Sequence, residues 1–505
     1  MKLLKIFLSR LVIYMTIILF QAIYLLFVAY RLVEYNQLIH LFFIILSYSM
    51  AIYLVSKDEN TNYKIAWIIA ILVLPDIGGL LYILIGNKRP SFLLRNKLLP
   101  GIEKMNALRH QDEQIKKTII NKKTISLDYL ISQHFPIYKN TDTIYYSLGD
   151  YNYRDMLADL RNAKHFIFME YFIVSKGLMF DTIFEILREK VKEGVDVRFI
   201  YDDFGSVSTI PFRFKQKLQS WGIKCVAFNR FVPLFSISQN HRDHRKICVI
   251  DGYIGYSGGF NIADEYINAK ERFGHWKDTG IRLEGDAVWS LTTMFLSTFY
   301  AYYPNLEEDV DAFRPHVHHP EPFKGNGYVL PYGDEPLDDE WVGENVYLNL
   351  ITHASREIMI MTPYFIIDDT MLKSLTLAAK NGVRVKVFTP HIPDKRLVFR
   401  VTRSYYYQLI KAGIEVYEYT PGFLHAKVMM VDRKIATVGT INFDYRSLYL
   451  HFECNTLLYQ CHCIDAIYQD FKNLEYVSQR MTIEETWHYK VGIIEAFLRL
   501  ISPLL

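Results

Sequence analysis

Cysteine is scarce in this chain. Five occur in 505 residues (Cys225, Cys248, Cys454, Cys461 and Cys463), an odd number without paired zinc-binding spacing. That excludes a disulfide framework and fits a reducing compartment. The one close cluster, Cys461-His462-Cys463, has a single residue between its thiols, which is poor ligand geometry. Carboxylate sets with divalent-cation spacing are missing as well. With half its residues hydrophobic and 22% charged, the chain is neither disordered nor low in complexity. Its length suggests about three domains.

The first 90 residues read as membrane. Residues 11–30 and 38–55 are runs without a charged side chain, each long enough for a spanning helix. No small-residue cleavage site follows the first run, so a removed signal peptide is disfavoured. A third apolar stretch, residues 65–86, is broken by Pro75-Asp76-Ile77-Gly78-Gly79. Each half is too short to cross alone, and a carboxylate at mid-depth is costly, so a re-entrant or interfacial hairpin is expected. Lys2, Lys5 and Arg10 precede the first run, and a basic stretch follows the third. The positive-inside rule then places both basic ends in the cytoplasm, with an even number of spans.

Residues 88–123 hold ten basic side chains against Glu103, Asp112 and Glu113, so the rest of the chain is slightly acidic. This stretch is expected to lie on anionic headgroups as a juxtamembrane linker, residues 91–125. A nucleic-acid substrate would need a basic groove, and the slightly acidic balance of the remainder argues against one.

Residues 126–303 and 325–505 read as two copies of one α/β unit. Glu193-Gly-Val-Asp-Val-Arg-Phe-Ile echoes Asn381-Gly-Val-Arg-Val-Lys-Val-Phe, each a helix end, a glycine and an alternating strand. Strand–helix alternation repeated at this spacing argues for a duplicated α/β sandwich. Residues 304–324, with four prolines and His316, His318 and His319, read as the linker between the copies.

One motif recurs at an offset of 181. Copy one reads His244-x-Lys246-x4-Asp251, then Gly258-Gly259-x-Asn261; copy two reads His425-x-Lys427-x4-Asp432, then Gly439-Thr440-x-Asn442. On a strand the His and Lys share a face. A two-residue turn at Asp251-Gly252 would set residue 244 opposite Gly259, leaving open space beside the His. Two lysines and two asparagines converge as donors on an anion with several oxygens, which suits a phosphodiester. One neutral imidazole can attack phosphorus while the other, protonated, serves the leaving alkoxide. The lysines supply charge that a metal would otherwise bring, so no metal or cofactor is expected. Asp278 and Glu453, which follow the two hairpins, are the candidate acceptors that orient the imidazoles. Asp251 and Asp432 complete the catalytic set by motif, although each ends a strand at a turn and could serve only to hold the hairpin.

These segments resemble those of the phospholipase D superfamily, and within it the bacterial cardiolipin synthases. The resemblance extends to Thr362-Pro-Tyr-Phe365, Asn442-Phe-Asp-Tyr-Arg446-Ser447 and Ser502-Pro-Leu-Leu505; Thr440 stands where the family usually carries serine. It implies two phospholipase D-type α/β/α sandwiches sharing one active site, behind a helical membrane region in the bacterial cytoplasmic membrane, with the catalytic domains cytoplasmic. It implies a phosphatidyltransferase with phospholipid substrates. Phosphatidyl would pass from one phosphatidylglycerol to another through a phosphatidyl-histidine, with His244 as nucleophile. The alternative is a membrane-anchored phospholipase D, which would use the same residues with water as acceptor.

Overall fold

Two sheets of matching topology carry the repeat in the computed structural model, which describes residues 10–35, 37–86, 88–120, 127–232, 240–338 and 340–504. The first copy contributes β1 (Thr141–Tyr146), β2 (Phe166–Tyr171), β3 (Asp196–Asp202), β4 (Lys224–Phe228), β5 (Lys246–Ile250), β6 (Ile254–Gly258), β7 (His275–Lys277) and β8 (Gly280–Gly285). The second contributes β9 (Tyr328–Asp334), β10 (Glu357–Met361), β11 (Arg384–Pro390), β12 (Glu415–Tyr419), β13 (Gly422–Leu424), β14 (Val428–Val431), β15 (Ile435–Gly439), β16 (Glu453–Tyr459) and β17 (Ser478–Arg480). The first sheet runs β1-β8-β6-β5-β2-β3-β4. Read from its far edge, the second runs β9-β16-β15-β14-β10-β11-β12, with β17 added beyond.

Each sheet mixes a parallel trio (β2-β3-β4 and β10-β11-β12) with antiparallel strands that carry the motif. The trio strands are buried almost throughout because helices cover both faces. Gly194 and Gly382 end the covering helices at φ +91° and +92°, with open space where a Cβ would sit; backbone conformation, not crowding, selects glycine there.

The motif hairpins turn over three residues, not two. Ile250 pairs with Ile254 and Val431 with Ile435, with Asp251, Gly252, Asp432 and Arg433 in left-handed backbone. This moves the register by one, so residue 244 does not face Gly259. Gly259 instead makes room for Asp278, whose carboxylate a Cβ would overlap.

In the N-terminal region the helix Gln37–Ser56 is long and apolar enough to cross a membrane, and Val12–Val28 is an apolar stretch within the helix Arg10–Tyr35. Helix Thr61–Val73 stops at the Pro75–Gly79 break, and the chain returns helically from Gly78 to Gly86. Ser47 bridges this break: its hydroxyl donates to the Pro75 carbonyl (2.6 Å) and accepts from the Gly79 amide (2.9 Å). Backbone groups released by the break are thereby satisfied inside the protein, as an apolar surrounding demands. His40 Nδ1 lies 3.0 Å from Asp76 Oδ1, which sets an imidazole beside the mid-segment carboxylate.

The basic stretch is docked more firmly than expected of a segment lying on lipid. Helix Phe92–Asn106 buries Leu94, Leu98, Ile102 and Met105 against helix Val288–Tyr302, and Gly101 lets the two backbones approach. Lys97 and Lys104 lie over the rings of Tyr302 and Tyr300, and Arg109 Nε donates to Thr293. The i, i+4 apolar spacing marks a core-facing stripe, which the charge count masked. Lys2, Lys5, Lys122 and Lys123 lie outside the described residues.

Asn60 and Asn62 fasten the hairpin to the second copy. Asn60 Nδ2 donates to Asp368 (3.1 Å) and Tyr449 (3.0 Å), and Asn62 Nδ2 donates to Tyr445 (2.8 Å). Lys88 adds its ammonium, 3.9 Å from the Tyr63 ring and 4.7 Å from that of Tyr449.

Candidate active site

The two motifs meet where the sheets face each other, and they meet crossed. The segment before His244 bridges in parallel to the segment before Glu453 (Asp243 to Phe452), and β13, before His425, pairs in parallel with β7, before Asp278. The amide of His244 donates to the Phe452 carbonyl (2.8 Å), and that of His425 donates to the Lys277 carbonyl (2.7 Å). Each imidazole therefore finds its carboxylate on the other copy. His244 Nδ1 lies 2.9 and 3.0 Å from the two oxygens of Glu453, and His425 Nδ1 lies 2.6 Å from Asp278 Oδ2. With Nδ1 occupied on both rings, Nε2 is left as the reacting nitrogen.

Burial dominates the electrostatics. It pushes Lys246 down to about 8 and Lys427 to about 7. Burial, then the charge of Lys427, pushes His425 down to about 4; burial and Lys246 hold His244 well below an ordinary imidazole. His244 also feels Lys427 and His425, which brings both motifs into one electrostatic site. Lys246 Nζ donates to the His244 carbonyl (2.6 Å), and Lys427 Nζ makes the matching bond to the His425 carbonyl.

The two acids are not equivalent. Burial opposes charge on both, but the neighbouring His425 and Lys427 hold Asp278 below its usual range. Burial wins at Glu453 and pushes it up to about 8. The hydroxyls of Thr440 and Ser447 both donate to Glu453, so the threonine supplies the hydroxyl that serine would.

The remaining candidates divide. Asp251 accepts from the amides of Lys164, His165 and Phe166, and Asp432 accepts from those of Ser355, Arg356 and Glu357. Both carboxylates thus sit at the turn end of the motif strands, tying the start of β2 or β10 to the hairpin, and neither is brought to the imidazoles. In this geometry the two carboxylates that complete the motif hold the hairpins, each accepting from three successive amides of one chain segment. Asn261 accepts from the Ile173 amide (2.9 Å) and donates to the Tyr266 hydroxyl (2.6 Å), and Tyr266 sets its ring edge-on to His425 at 5.4 Å. Asn261 thus touches Tyr266, which in turn flanks His425. Asn442 keeps its buried Oδ1 without a hydrogen-bond partner.

Phe172 and His451 flank His244, with ring centroids at 5.1 and 5.7 Å, and the sequence did not single them out. His244, His451 and Glu453 bring three possible ligand atoms within 4.8 Å of one another, but His244 Nδ1 and both Glu453 oxygens already hold hydrogen bonds. The linker histidines are engaged as well: His316 pairs with Asp286, His318 lies 3.0 Å from the Ala312 carbonyl, and His319 lies 3.0 Å from that of Glu321.

A family model described as a cardiolipin synthase, phospholipase D-like domain matches residues 156–272 and 347–475, one match on each sheet. A phospholipase D-nuclease N-terminal model matches residues 42–87. A cardiolipin synthase of Halalkalibacterium halodurans is 35% identical over 463 residues, covering 89% of this chain and 90% of that protein. The chain belongs to the cardiolipin synthase family. The major cardiolipin synthase of Bacillus subtilis is 33% identical over 93% of this chain and 99% of its own length. An uncharacterised protein of Streptococcus mutans is 40% identical over 90% of this chain and 99% of its own. Among solved structures, a phosphatidylserine synthase of Haemophilus influenzae shares the fold at a TM-score of 0.56 and 13% identity, over 72% of this chain and 95% of that one.

Proposed function

We propose that this cardiolipin synthase family member joins two phosphatidylglycerol molecules into cardiolipin and releases glycerol. The observation that carries the reading is the crossed pair of imidazole–carboxylate dyads, with a buried lysine bonded to the backbone of each histidine. His244 Nε2 attacks the phosphorus of one phosphatidylglycerol, and His425 gives its proton to the departing glycerol oxygen. The second phosphatidylglycerol then loses a headgroup hydroxyl proton to His425, and its oxygen displaces His244 from phosphorus. Lys246, Lys427 and Asn442 are assigned to the phosphate oxygens, whose charge desolvation makes more dependent on fixed donors. The asymmetry of the acids supports the division of labour. Asp278, held ionised, steadies a His425 that carries a proton, whereas Glu453, poorer at holding charge, favours a neutral and nucleophilic His244.

Purified protein in phosphatidylglycerol vesicles is expected to yield cardiolipin and free glycerol without nucleotide. Added glycerol should run the reaction backwards, because the bonds exchanged are alike. Phosphatidic acid as the main product, indifferent to glycerol, would make the protein a phospholipase D.

The pH dependence follows from the depressed groups. A lowered imidazole is protonated only at lower pH, and lowered lysines lose their charge above about 7 to 8. The profile of kcat/KM, which reports the free enzyme, should be bell-shaped with its maximum on the acid side of about 6.5, the ordinary imidazole value. A rate flat from about pH 5 to 9 would remove paired imidazole chemistry.

For the membrane region we propose spans at residues 11–30 and 38–55, with the 65–86 hairpin re-entrant and both termini cytoplasmic. The 91–125 linker, the copies at 126–303 and 325–505 and the linker between them would then share that side. Cysteine labelling from outside should reach residues 31–37 and miss Lys88; external labelling at Lys88 would mean a third span and an external site.

A further inference from the structure

The C-terminal helix Ile493–Ile501 carries an apolar face that none of the described residues covers. Glu495 and Leu498 point inward, while Ile493 (88% exposed), Ile494 and Phe497 (58%) point out, at the i, i+1, i+4 spacing of one helical face. Trp487, on the preceding helix Ile483–Val491, is also half exposed.

What lies beside this face identifies its occupant. The helix and the Ser502–Leu504 turn after it pack on Thr61–Val73. That is the membrane-region helix whose start is tied to the second copy by Asn60 and Asn62. Thr61–Val73 leaves its own Ile65, Leu72 and Val73 exposed, and Phe92 and Leu93 are exposed just after the hairpin. The uncovered C-terminal face therefore continues an apolar surface already assigned to lipid. On its other side stands helix Arg396–Lys411, which contains four basic residues and no acid. Arg403 and Arg400 are paired with Glu418 and Glu495. Between this helix and the C-terminal pair lies an open groove of about 470 Å³, lined by Tyr407, Gln408, Lys411, Tyr489 and Arg499. Glu495 also lines it but is neutralised by Arg400.

We propose that these C-terminal helices form a second, interfacial membrane attachment, far along the chain from the N-terminal anchor. Ile493, Ile494, Phe497 and Trp487 enter the boundary between headgroups and acyl chains, and the Lys411–Arg499 groove receives the headgroup of an anionic phospholipid. A helix of this pattern lies in the membrane plane with its apolar face about 5–10 Å deep, and anionic lipid strengthens its hold through nearby lysines and arginines. Attached at both ends, the second copy would hold its site at a fixed height over the headgroups. The inference rests on residues 10–86 being membrane-inserted.

The test uses the full chain in vesicles. All five cysteines are buried, so Ile493→Cys can be labelled selectively with bimane. In phosphatidylglycerol vesicles containing brominated phospholipid, the label should shift to the blue and lose most of its emission. Lys411→Gln with Arg499→Gln should return it to the weaker quenching seen in phosphatidylcholine vesicles. An unquenched, water-exposed label in protein that floats with the vesicles after a high-salt wash would overturn the attachment. Quenching that ignores both lipid charge and the two substitutions would overturn the headgroup groove. Protein that does not float would overturn the membrane reading and the attachment with it. The same measurement in His244→Ala protein separates this inference from the catalytic one, since quenching needs no turnover.

Discussion

Alanine at His244 should abolish cardiolipin formation and any trapped lipid–protein adduct, whereas alanine at His425 should leave an adduct obtainable from the right donor. In the first variant the nitrogen that forms the bond to phosphorus is gone, and His425 faces the site with its proton role unchanged. In the second the nucleophile and its Glu453 bonds remain, but glycerol must leave without a proton. Loss of that proton transfer costs about 10²- to 10⁴-fold. A nitrophenyl phosphodiester, whose leaving group needs no proton, should recover most of that loss. Labelled lipid followed on denaturing gels, together with release of nitrophenol, measures both arms. An adduct that survives in the His244 variant and disappears in the His425 variant would exchange the two roles.

The sequence made the duplicated sandwich and the paired His-x-Lys sets legible because both rest on short-range periodicity. Strand alternation, helix-ending glycines and a 181-residue offset need no knowledge of how the copies dock. Asp278 and Glu453 were also visible, by type and by position after each hairpin. Their crossing was not, because it depends on β7 pairing with β13, strands of three residues each with no signal of their own. The hairpin register was misjudged by one residue because Asp-Gly, a strong two-residue turn signal, sits here in a three-residue turn. Asp251 gives its carboxylate to the start of β2 and takes left-handed backbone itself. The docking of Phe92–Asn106 is hidden behind its charge, since Lys97 and Lys104 lie along aromatic rings while Leu94, Leu98 and Ile102 reach the core. Phe172 and His451 gave no motif, being placed by the fold alone.

Because the dyads cross, the two acid substitutions should separate by chemistry and not by sequence neighbourhood. Asp278 follows His244 in the chain but bonds to His425, and Glu453 follows His425 but bonds to His244. Asp278→Asn should therefore behave as a weakened His425 variant. An amide cannot balance the imidazolium or hold the same tautomer, and removing such an orienting carboxylate costs up to about 10⁴-fold in a related geometry. The loss should be large for phosphatidylglycerol and small for the nitrophenyl diester. Glu453→Gln should behave as a weakened His244 variant, slowing adduct formation from both donors alike, because the nucleophile itself is misaligned. Thr440 and Ser447, which donate to that carboxylate, keep the glutamine close to the glutamate position and make this the milder variant. Adding Asp278→Asn to His425→Ala should cost little more, since residues that act as one unit are strongly non-additive. Single-turnover rates of adduct formation with the two donors decide the matter. If Asp278→Asn slowed both donors equally and Glu453→Gln showed the leaving-group dependence, the dyads would work within each copy, and the crossed geometry would not be the catalytic one.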